Sequence, residues 1–319
     1  RICNWKTKWI FKKLKRVVAF AEASSTIGSG HLVRTSQLLS CLDTMKFEIE
    51  FYCNYEQMPE WLNKIKHKKM DSDTFFKLDL EDYDLLIFDS YKNREKLEGI
   101  DKNVLLLDDY SFMDSKYIPN IILDYNYQTS AKFYKNQKLL LDTKYFPIGK
   151  DTFPEYLGKH SWNKNSKKIL ISLGGVSDQN LLDIDYFLDL GLKFGEVYLM
   201  DPLSRLDKYK NNNIKLVQNK SLSYILNEKE FKLGIVAGGT SKYIAASYSL
   251  PCLLVPRNKL EGILIEKFIE NNLSFTESLL TDNFDDNYLI STLSKISNNL
   301  KKLIDVDNVK RLNKALLDL

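Results

Sequence analysis

A glycine-rich loop that ends in a histidine is the first feature of this 319-residue sequence that could do chemistry. Gly28, Gly30 and His31 stand between an apolar run, 16–23, and a segment whose apolar residues have helical spacing, 31–45. Such a loop exposes backbone N–H groups at the positive end of a helix and lets a ligand approach the backbone. A neutral imidazole there could accept a proton from water or an alcohol. The alternative is a tight turn that His31 only caps.

The second half of the chain repeats this arrangement twice. "SLGGVSDQN" (172–180) and "VAGGTSKY" (236–243) each place two glycines between a predicted strand and a predicted helix. The group Gly238–Ser241 resembles an anion-binding cradle, because flexible backbone is followed by hydroxyls at the helix cap. No GK[ST] follows, and the spacing is not that of a dinucleotide fingerprint. The sequence therefore predicts a diphosphate at a helix N-terminus, with no metal or other cofactor.

These residues must be positioned by alternating strands and helices. Alternation of short apolar runs with helix-period segments predicts parallel sheets covered by helices. Ligands of open parallel sheets bind beyond the carboxyl ends of the strands. The predicted strands are 16–23, 47–54, 83–91, 102–110, 119–126, 168–175, 195–200, 214–218, 231–239 and 251–256, and the predicted helices include 31–45, 58–70, 180–194, 221–229, 241–250 and 261–272.

The length and a polar stretch at 158–168 divide the chain into two predicted domains. Residues 1–156 form the first and residues 157–319 the second, and the last helix is expected to pack back on the first. Two such α/β domains in tandem make a cleft between their carboxyl-end loops.

Composition limits the partners and the setting. The net charge of +4 is too small to indicate a nucleic-acid partner. The four cysteines are far apart and form no CxxC pair, which argues against a zinc or redox motif and fits the reducing cytoplasm. No apolar run reaches the roughly 18 residues needed to span a bilayer. The basic segment "WKTKWIFKKLKR" (5–16) either makes a weak membrane-surface contact or leads into the first strand with its lysines in water.

Five motifs, in this order, resemble one known group of proteins. They are "AEASSTIGSGHLVRTSQLLSCL" (21–42), "IFDSY" (87–91), "LLLDDY" (105–110), "ILISLGGVSDQN" (169–180) and "IVAGGTSKYIAASYSLPCLLVP" (235–256). From Arg16 to about Asn272 the chain is similar to the nucleotide-sugar hydrolases of pseudaminic acid synthesis, the PseG family, and to the wider spore-coat-type GT-B group related to MurG.

The resemblance implies a GT-B fold, in which the first lobe holds the sugar and the second a nucleoside diphosphate. It implies removal of UDP from an amino sugar by inversion, with His31 as general base and Asp89 beside it. The implied sugar-side residues are Gly28, Gly30, Arg34, Tyr91 and Asp109, and the implied nucleotide-side residues are Gly174, Gly175, Leu222, Gly238, Gly239, Thr240 and Ser241. Glu261, which departs from the group's pattern, is a further nucleotide-side candidate, for the contact with the ribose.

Several of these residues could have a purely structural role instead. Asp89 could orient His31 or bind a sugar hydroxyl, but it could also cap a strand end. Asp108 and Asp109 could be turn formers, and most of the 18 tyrosines, Tyr91 included, could be structural.

The chain departs from the group at three ligand-side places. Ile244 stands where the group has a ribose-binding Glu, and Leu260 and Glu261 stand where it has Asn-Gln. Lys150 stands near the place of a usual Arg. These changes leave two alternatives to the hydrolase: a glycosyltransferase that uses the same cleft with a sugar acceptor, and a non-catalytic nucleotide-sugar-binding protein.

Overall fold

A computed structural model describes most of the chain, and every structural statement below concerns the part that it describes. The described residues are 13–24, 29–56, 58, 62–63, 65–109, 119–134, 137–148, 161–174, 184–201, 206–282, 285–304 and 307–319.

The first lobe contains a seven-stranded sheet in which all paired neighbours are parallel, in the order β3-β2-β1-β4-β5-β6-β7. Its interior strand β1 is buried on both faces, which accounts for the apolar run in its sequence. The strands are β1 (Lys15–Ala23), β2 (Phe47–Tyr55), β3 (Lys68–Lys69), β4 (Leu85–Asp89), β5 (Asn103–Leu107), β6 (Ile121–Asp124) and β7 (Lys138–Leu141).

Helix α1 (Gly30–Cys41) covers one face of this sheet and inserts Leu32, Leu38 and Leu39 into the core. A cluster of aromatic rings covers the other face, with the Phe20 and Phe75 ring centres 5.0 Å apart. The helices on that face are short: α2 (Ser72–Phe75) and 3-10 turns at Leu80–Asp82, Arg94–Leu97 and Ala131–Phe133. The first lobe also has a 3-10 turn at Thr143–Tyr145.

The helix predicted at 58–70 is wrong over its last residues. Lys68 and Lys69 form edge strand β3, which pairs with Tyr52 and Cys53. Both lysines are exposed, and lysine is a residue that natural proteins place on edge strands.

The second lobe contains a five-stranded parallel sheet in the order β10-β9-β8-β11-β12. The strands are β8 (Lys168–Ser172), β9 (Glu196–Asp201), β10 (Ile214–Gln218), β11 (Leu233–Ala237) and β12 (Cys252–Val255). The helices are α3 (Ile184–Leu192), α4 (Leu222–Glu228), α5 (Thr240–Ser247), α6 (Lys259–Glu270), α7 (Ser278–Thr281), α8 (Asp286–Leu300) and α9 (Asn308–Leu317). Two parallel-sheet α/β domains are thereby confirmed.

Helix α9 lies against the first lobe. The Asn313 side chain donates to the Cys41 carbonyl at 2.7 Å and accepts from the Asp43 N–H at 2.8 Å. Buried Asn308 donates to the Phe146 carbonyl at 2.5 Å. The predicted boundary between residues 156 and 157 falls outside the described residues and stays a prediction. Among the helices that the structure describes, each is too short or too polar to cross a membrane.

Tyr243 of α5 joins the two lobes at the carboxyl ends of their strands. Its hydroxyl accepts from the Tyr127 N–H at 3.0 Å and donates to the Asn126 Oδ1 at 3.1 Å. Its ring packs edge-on against Tyr125 with the ring centres 5.5 Å apart. This contact brings the end of β6 to the start of α5, so the loops of both sheets line one space.

Candidate functional site

A cavity of about 290 Å³ lies between the lobes, near the lower limit of the volumes of small-molecule sites. The first lobe contributes Gly30, His31, Arg34, Tyr91, Asp109, Tyr125 and Asn126, and the second contributes Gly238, Gly239, Thr240, Lys242, Tyr243, Arg257, Asn258, Leu260, Glu261 and Leu264. Residues far apart in sequence meet here because parallel strands present their carboxyl ends at one edge of each sheet.

His31 and Asp89 form a buried hydrogen-bonded pair. His31 is the second residue of α1, and its Nδ1 lies 2.6 Å from the Oδ1 of Asp89 at the end of β4. Burial alone would raise the pKa of Asp89, but Arg34 and His31 outweigh it and hold that pKa well below its ordinary value. Ionised Asp89 can only accept, so Nδ1 carries a proton, and the lone pair of the neutral tautomer then lies on Nε2. No described residue hydrogen bonds Nε2.

Arg34 fixes the orientation of this carboxylate. Its Nε donates to the Asp89 Oδ2 at 2.8 Å and its second terminal nitrogen donates to Oδ1 at 2.6 Å. Thr35 also donates to Oδ2, at 2.8 Å. His31, Arg34 and Thr35 stand at positions i, i+3 and i+4 of α1, which places all three on one face of the helix. Burial opposes the charge of Arg34, but Asp89 outweighs it and raises the pKa of the guanidinium well above its ordinary value.

Tyr91 and Asp109 form the neighbouring wall of the cavity. The Tyr91 ring meets the His31 ring edge-on with the ring centres 4.6 Å apart, and its hydroxyl donates to the Asp109 Oδ2 at 2.6 Å. Partial loss of water in the cavity wall and the Asp109 carboxylate raise the pKa of Tyr91 above its usual value, so the phenol stays protonated and donates. Arg34 donates to the same Oδ2 at 3.3 Å. Burial would raise the pKa of Asp109, but Arg34 outweighs it and keeps that pKa below its ordinary value.

Asp108 lies apart from the cavity, although it is next to Asp109 in sequence. It pairs with Arg94 at 3.0 Å and accepts from Tyr134 at 3.1 Å. Consecutive residues at a strand end point to opposite faces, which accounts for the separation. Tyr134 lies 2.9 Å from the Asp124 Oδ2, and burial raises the pKa of Asp124 to about 7. This network supports the sheet beneath the cavity.

The predicted anion cradle begins α5. Gly239 is the N-cap residue and has no side chain with which to cap, so the first N–H groups of α5 lack a side-chain cap partner. A Cβ on Gly238 would lie 2.7 Å from Ile265, and one on Gly239 would lie 2.6 Å from the Arg257 guanidinium. A side chain at either position would therefore require the end of the Ile265 or Arg257 side chain to shift. Thr240 lines the cavity beside them.

The other predicted nucleotide-side residues are placed differently. Ser241, Gly174 and Leu222 are described but are not part of the cavity wall, and Leu222 is packed in the core. Gly28 and Gly175 lie outside the described residues, as does Lys150. Ile244, which replaces the group's usual Glu, is 5% exposed, lies in the hydrophobic core and does not line the cavity.

Glu261 lines the cavity, but its carboxylate accepts hydrogen bonds from Arg257. The Arg257 guanidinium lies 2.5 Å from Oε1, and the Arg257 backbone N–H donates to Oε2 at 2.9 Å. The Glu261 N–H in turn donates to Asn258, the N-cap of α6, at 2.9 Å. The residue that faces Gly239 from this side is thus a cation, Arg257, held in place by Glu261.

Lys242 is a second cation in this wall of the cavity. Neither Lys242 nor Arg257 was among the site residues predicted from the sequence. Its side chain is buried and its Nζ donates to the Gly238 carbonyl. Burial lowers the pKa of Lys242 to about 8, and the carboxylates of Glu261 and Asp109 oppose that shift. The signal in the sequence was a lysine two residues after the Gly-Thr step that begins α5. Among the described residues, no group of three or more His, Cys, Asp or Glu could hold a metal ion.

The chain is similar to solved structures over nearly its whole length. The spinosyn rhamnosyltransferase SpnG has a TM-score of 0.65 at 14% identity, and the match covers 95% of this chain and 99% of that one. A putative UDP-N-acetylglucosamine 2-epimerase from Listeria monocytogenes has a TM-score of 0.61 at 12% identity, with 96% of each chain covered. The glycosyltransferase SsfS6 from Streptomyces sp. SF2575, solved with thymidine diphosphate, has a TM-score of 0.59 at 12% identity, with coverage of 96% and 100%.

No protein-family model and no curated protein sequence matches this chain. At these low identities the structural likeness speaks to the fold alone. The protein has the GT-B fold, as the resemblance to the PseG group implied.

Proposed function

We propose that this protein is a nucleotide-sugar hydrolase that works in the cavity between its lobes. The observation that carries the proposal is the His31–Asp89 hydrogen bond in a cavity that also contains the open N-terminus of α5. A base and an anion site in one cleft are what displacement of a diphosphate from a sugar requires. The resemblance to the PseG group supports a UDP-linked amino sugar as substrate, in a cytoplasmic step of nonulosonic (pseudaminic-type) acid or surface-polysaccharide synthesis.

In the proposed reaction, water attacks the anomeric carbon of the sugar. The oxygen of the water forms the new bond to that carbon, and its proton passes to the Nε2 of His31. The bond from the anomeric carbon to the diphosphate breaks, and its electron pair leaves on the phosphate oxygen, so the configuration inverts. Asp89 stabilises the imidazolium that forms. A positioned base of this kind contributes about 10²–10⁴-fold to the rate.

The second lobe stabilises the leaving diphosphate. Its developing charge is met by the N–H groups at the start of α5, by Lys242 and by Arg257. The cationic side chains supply the positive charge in a low-dielectric space, where it has a larger effect than in water. Tyr125 donates or accepts across the lobes to Thr240 at 3.4 Å and closes one side of this region.

A glycosyltransferase is the second candidate, and a specific observation favours it. Tyr91 is 41% exposed although it lines the cavity, so the wall beside His31 is open to solvent. A sugar acceptor could enter there and lose its proton to His31 in place of water. The basic segment at 5–16, outside the described residues up to Lys12, would then favour an acceptor at a membrane surface.

The test is incubation of the protein with UDP-, dTDP-, GDP- and CMP-linked sugars, with NMR detection of the released sugar and of its anomeric configuration. Release of an inverted free sugar supports the hydrolase. Turnover that needs an added acceptor supports the transferase instead. His31→Ala is expected to keep nucleotide affinity and to lower turnover at least about 100-fold. Nucleotide binding without turnover under any condition would favour the non-catalytic alternative.

A further inference from the structure

A short segment after strand β6 holds the second lobe against the first. The Tyr127 N–H donates to the Tyr243 hydroxyl at 3.0 Å, and that hydroxyl donates to the Asn126 Oδ1 at 3.1 Å. Asn126, Tyr127 and Tyr243 are called the inter-lobe latch below. The Asn126 amide is oriented from its other side, because its Nδ2 donates to the Asp124 Oδ1 at 2.9 Å. The latch therefore depends on one carboxylate, Asp124, which is completely buried.

The other oxygen of Asp124 shares a single phenol proton with a second buried acid. The Tyr134 hydroxyl lies 2.9 Å from the Asp124 Oδ2 and 3.1 Å from the Asp108 Oδ2. A phenol can donate only one hydrogen bond, so two ionised carboxylates would leave one of them facing a lone pair of the Tyr134 oxygen. Every contact is satisfied when one acid keeps a proton and donates it to that oxygen. Asp108 lies 3.0 Å from the Arg94 guanidinium, which stabilises its negative charge, so the proton belongs on Asp124.

The proton has a defined place on Asp124. Oδ1 accepts both the backbone N–H of Asn126, at 3.0 Å, and the Asn126 Nδ2. An oxygen that accepts two N–H groups is the carbonyl oxygen of the acid, so Oδ2 carries the proton and donates to Tyr134. The neutral acid thus has a partner on each side, the latch on Oδ1 and the phenol on Oδ2.

The charged groups around Asp124 act in both directions. Burial is the main cause that raises the pKa of Asp124, to about 7, and the carboxylates of Asp108 and Asp109 add to it, while the hydrogen bonds that Asp124 accepts oppose it. Lys242 of α5 attracts the ionised form of Asp124. Asp142, which follows β7, donates its backbone N–H to the Asp124 carbonyl at 2.9 Å. The result is a buried acid that changes its charge near neutral pH.

We propose that Asp124 is a pH-dependent switch of the inter-lobe latch, whose protonated form holds the lobes together and whose ionised form releases them. Ionised Asp124 and Asp108 compete for the one Tyr134 proton, which leaves a buried charge without a donor. Asn126 covers the Asp124 Oδ1 and lines the cavity, so its departure from the latch admits water to the carboxylate. The joined state therefore binds the proton more tightly than the open state, and rising pH shifts the population toward the open state.

The switch is independent of the proposed reaction, because it concerns the contact between the lobes and not the ligand. Exchange of the Tyr127 amide hydrogen with solvent measures it directly, since this N–H donates to Tyr243. In the wild type its protection factor, corrected for the intrinsic pH dependence of exchange and followed by NMR, is expected to fall about tenfold between pH 6 and pH 8. The amides of strand β1, in the interior of the same sheet, are expected to keep their protection.

Two variants separate the switch from the latch. In Asp124→Asn the amide oxygen accepts from Asn126 and the amide NH₂ donates to Tyr134, and neither titrates. Its Tyr127 protection is expected to be equal at pH 6 and pH 8. Tyr243→Phe removes the hydroxyl that accepts from Tyr127, so protection is expected to be low at both pH values. Asp101→Asn, a change at an exposed carboxylate, is expected to behave as the wild type.

Infrared difference spectra between wild type and Asp124→Asn at pH 6 test the proton itself, because a protonated carboxylic acid has a carbonyl stretch that a carboxylate lacks. That band is expected in the wild type at pH 6 and is expected to fade by pH 8. Its absence at pH 6 would show that Asp124 is ionised in the joined state and would overturn the proposal.

Three exchange results would overturn it as well. Equal Tyr127 protection at pH 6 and pH 8 in the wild type would show that the latch does not respond to pH, and this result needs no variant to fold. An equal fall in Asp124→Asn would assign the response to another group. A parallel fall of the β1 amides would mean that the whole lobe unfolds. None of these measurements uses a nucleotide, so failure of the proposed function is distinguishable from failure of the switch.

Discussion

The Arg34 guanidinium donates two parallel hydrogen bonds to the Asp89 carboxylate. Its Nε donates to Oδ2 at 2.8 Å, and a terminal nitrogen donates to Oδ1 at 2.6 Å. Both side chains are buried, Asp89 completely. A bidentate pair sets the plane of the carboxylate as well as its charge. Oδ1 is therefore aimed at His31, and the tautomer of the proposed base depends on an arginine one helical turn away.

Asp89→Asn is expected to destabilise the protein by roughly 3–5 kcal/mol at pH 7, because it leaves the buried Arg34 cation without its main partner. The pKa of Asp89 is depressed in the folded state. Its stabilising contribution is therefore present above the unfolded-state pKa of about 4 and is lost as the pH falls below it. Chemical denaturation at pH 7 and pH 3 measures the difference. If the difference in unfolding free energy between wild type and Asp89→Asn is as large at pH 3 as at pH 7, this expectation is wrong. Asp101→Asn, a change at an exposed carboxylate, is the control.

Lys242 should make nucleotide binding depend on pH. Burial lowers the pKa of Lys242 to about 8, so its ammonium is present below that pH and is lost above it. Wild-type affinity for UDP is expected to fall as the pH rises from 7 to 10, roughly, while Lys242→Arg stays flat because arginine keeps its charge. Lys242→Met is expected to bind weakly at every pH. Parallel pH profiles for wild type and Lys242→Arg, measured by calorimetry, would remove Lys242 from the site.

Asp124 should lower stability at neutral and higher pH. Burial raises the pKa of Asp124 to about 7 from 3.8, so between these values the folded state holds a proton that the unfolded state releases. This group therefore costs stability progressively as the pH rises from 4 to 7, and the full cost remains at pH 8. Asp124→Asn, which cannot ionise, is expected to be more stable than wild type by about 1–4 kcal/mol at pH 8 and equal to it near pH 4. Equal unfolding curves at pH 8 would refute this expectation.

Ile244→Glu is expected to destabilise the fold rather than to restore a ribose contact. The Ile244 side chain is buried in the core and does not face the cavity. A carboxylate there would lose its water and find no donor, at a cost of at least about 2 kcal/mol. Ile244→Val, the matched control, should cost about 1 kcal/mol. Tighter UDP binding by a stable Ile244→Glu protein would show that this position does reach the nucleotide.

The sequence predicted those parts of the molecule that follow from the spacing of apolar residues and from the alternation of strands and helices along the chain. Strand and helix alternation predicted two parallel sheets. The resemblance to the PseG group implied one site for His31, Asp89, Tyr91 and Asp109, and these side chains are in contact in the structure. The separation of Asp108 from Asp109 was not predicted, although strand alternation accounts for it.

The contacts between side chains of the second lobe could not be predicted from the sequence pattern. Glu261 was expected to contact a ribose, but its oxygens hold Arg257, which comes from the loop after β12. Lys242 lines the cavity with its Nζ bonded to the Gly238 carbonyl, a contact that depends on the folded backbone. The partner of each charged side chain depends on which groups the folded backbone brings close to it. No repeating pattern of residues in the sequence contains this information.

Helix α9 has a mechanical consequence. The chain passes from the first lobe to the second between residues 148 and 161, and it returns between Leu300 and Asn308, where α9 is bonded to Phe146 and Cys41. These bonds give the two lobes a second connection besides the segment that follows the first lobe. We expect any opening of the cleft to be narrower than that of two lobes joined by a single linker, because it must move or break the contacts of α9.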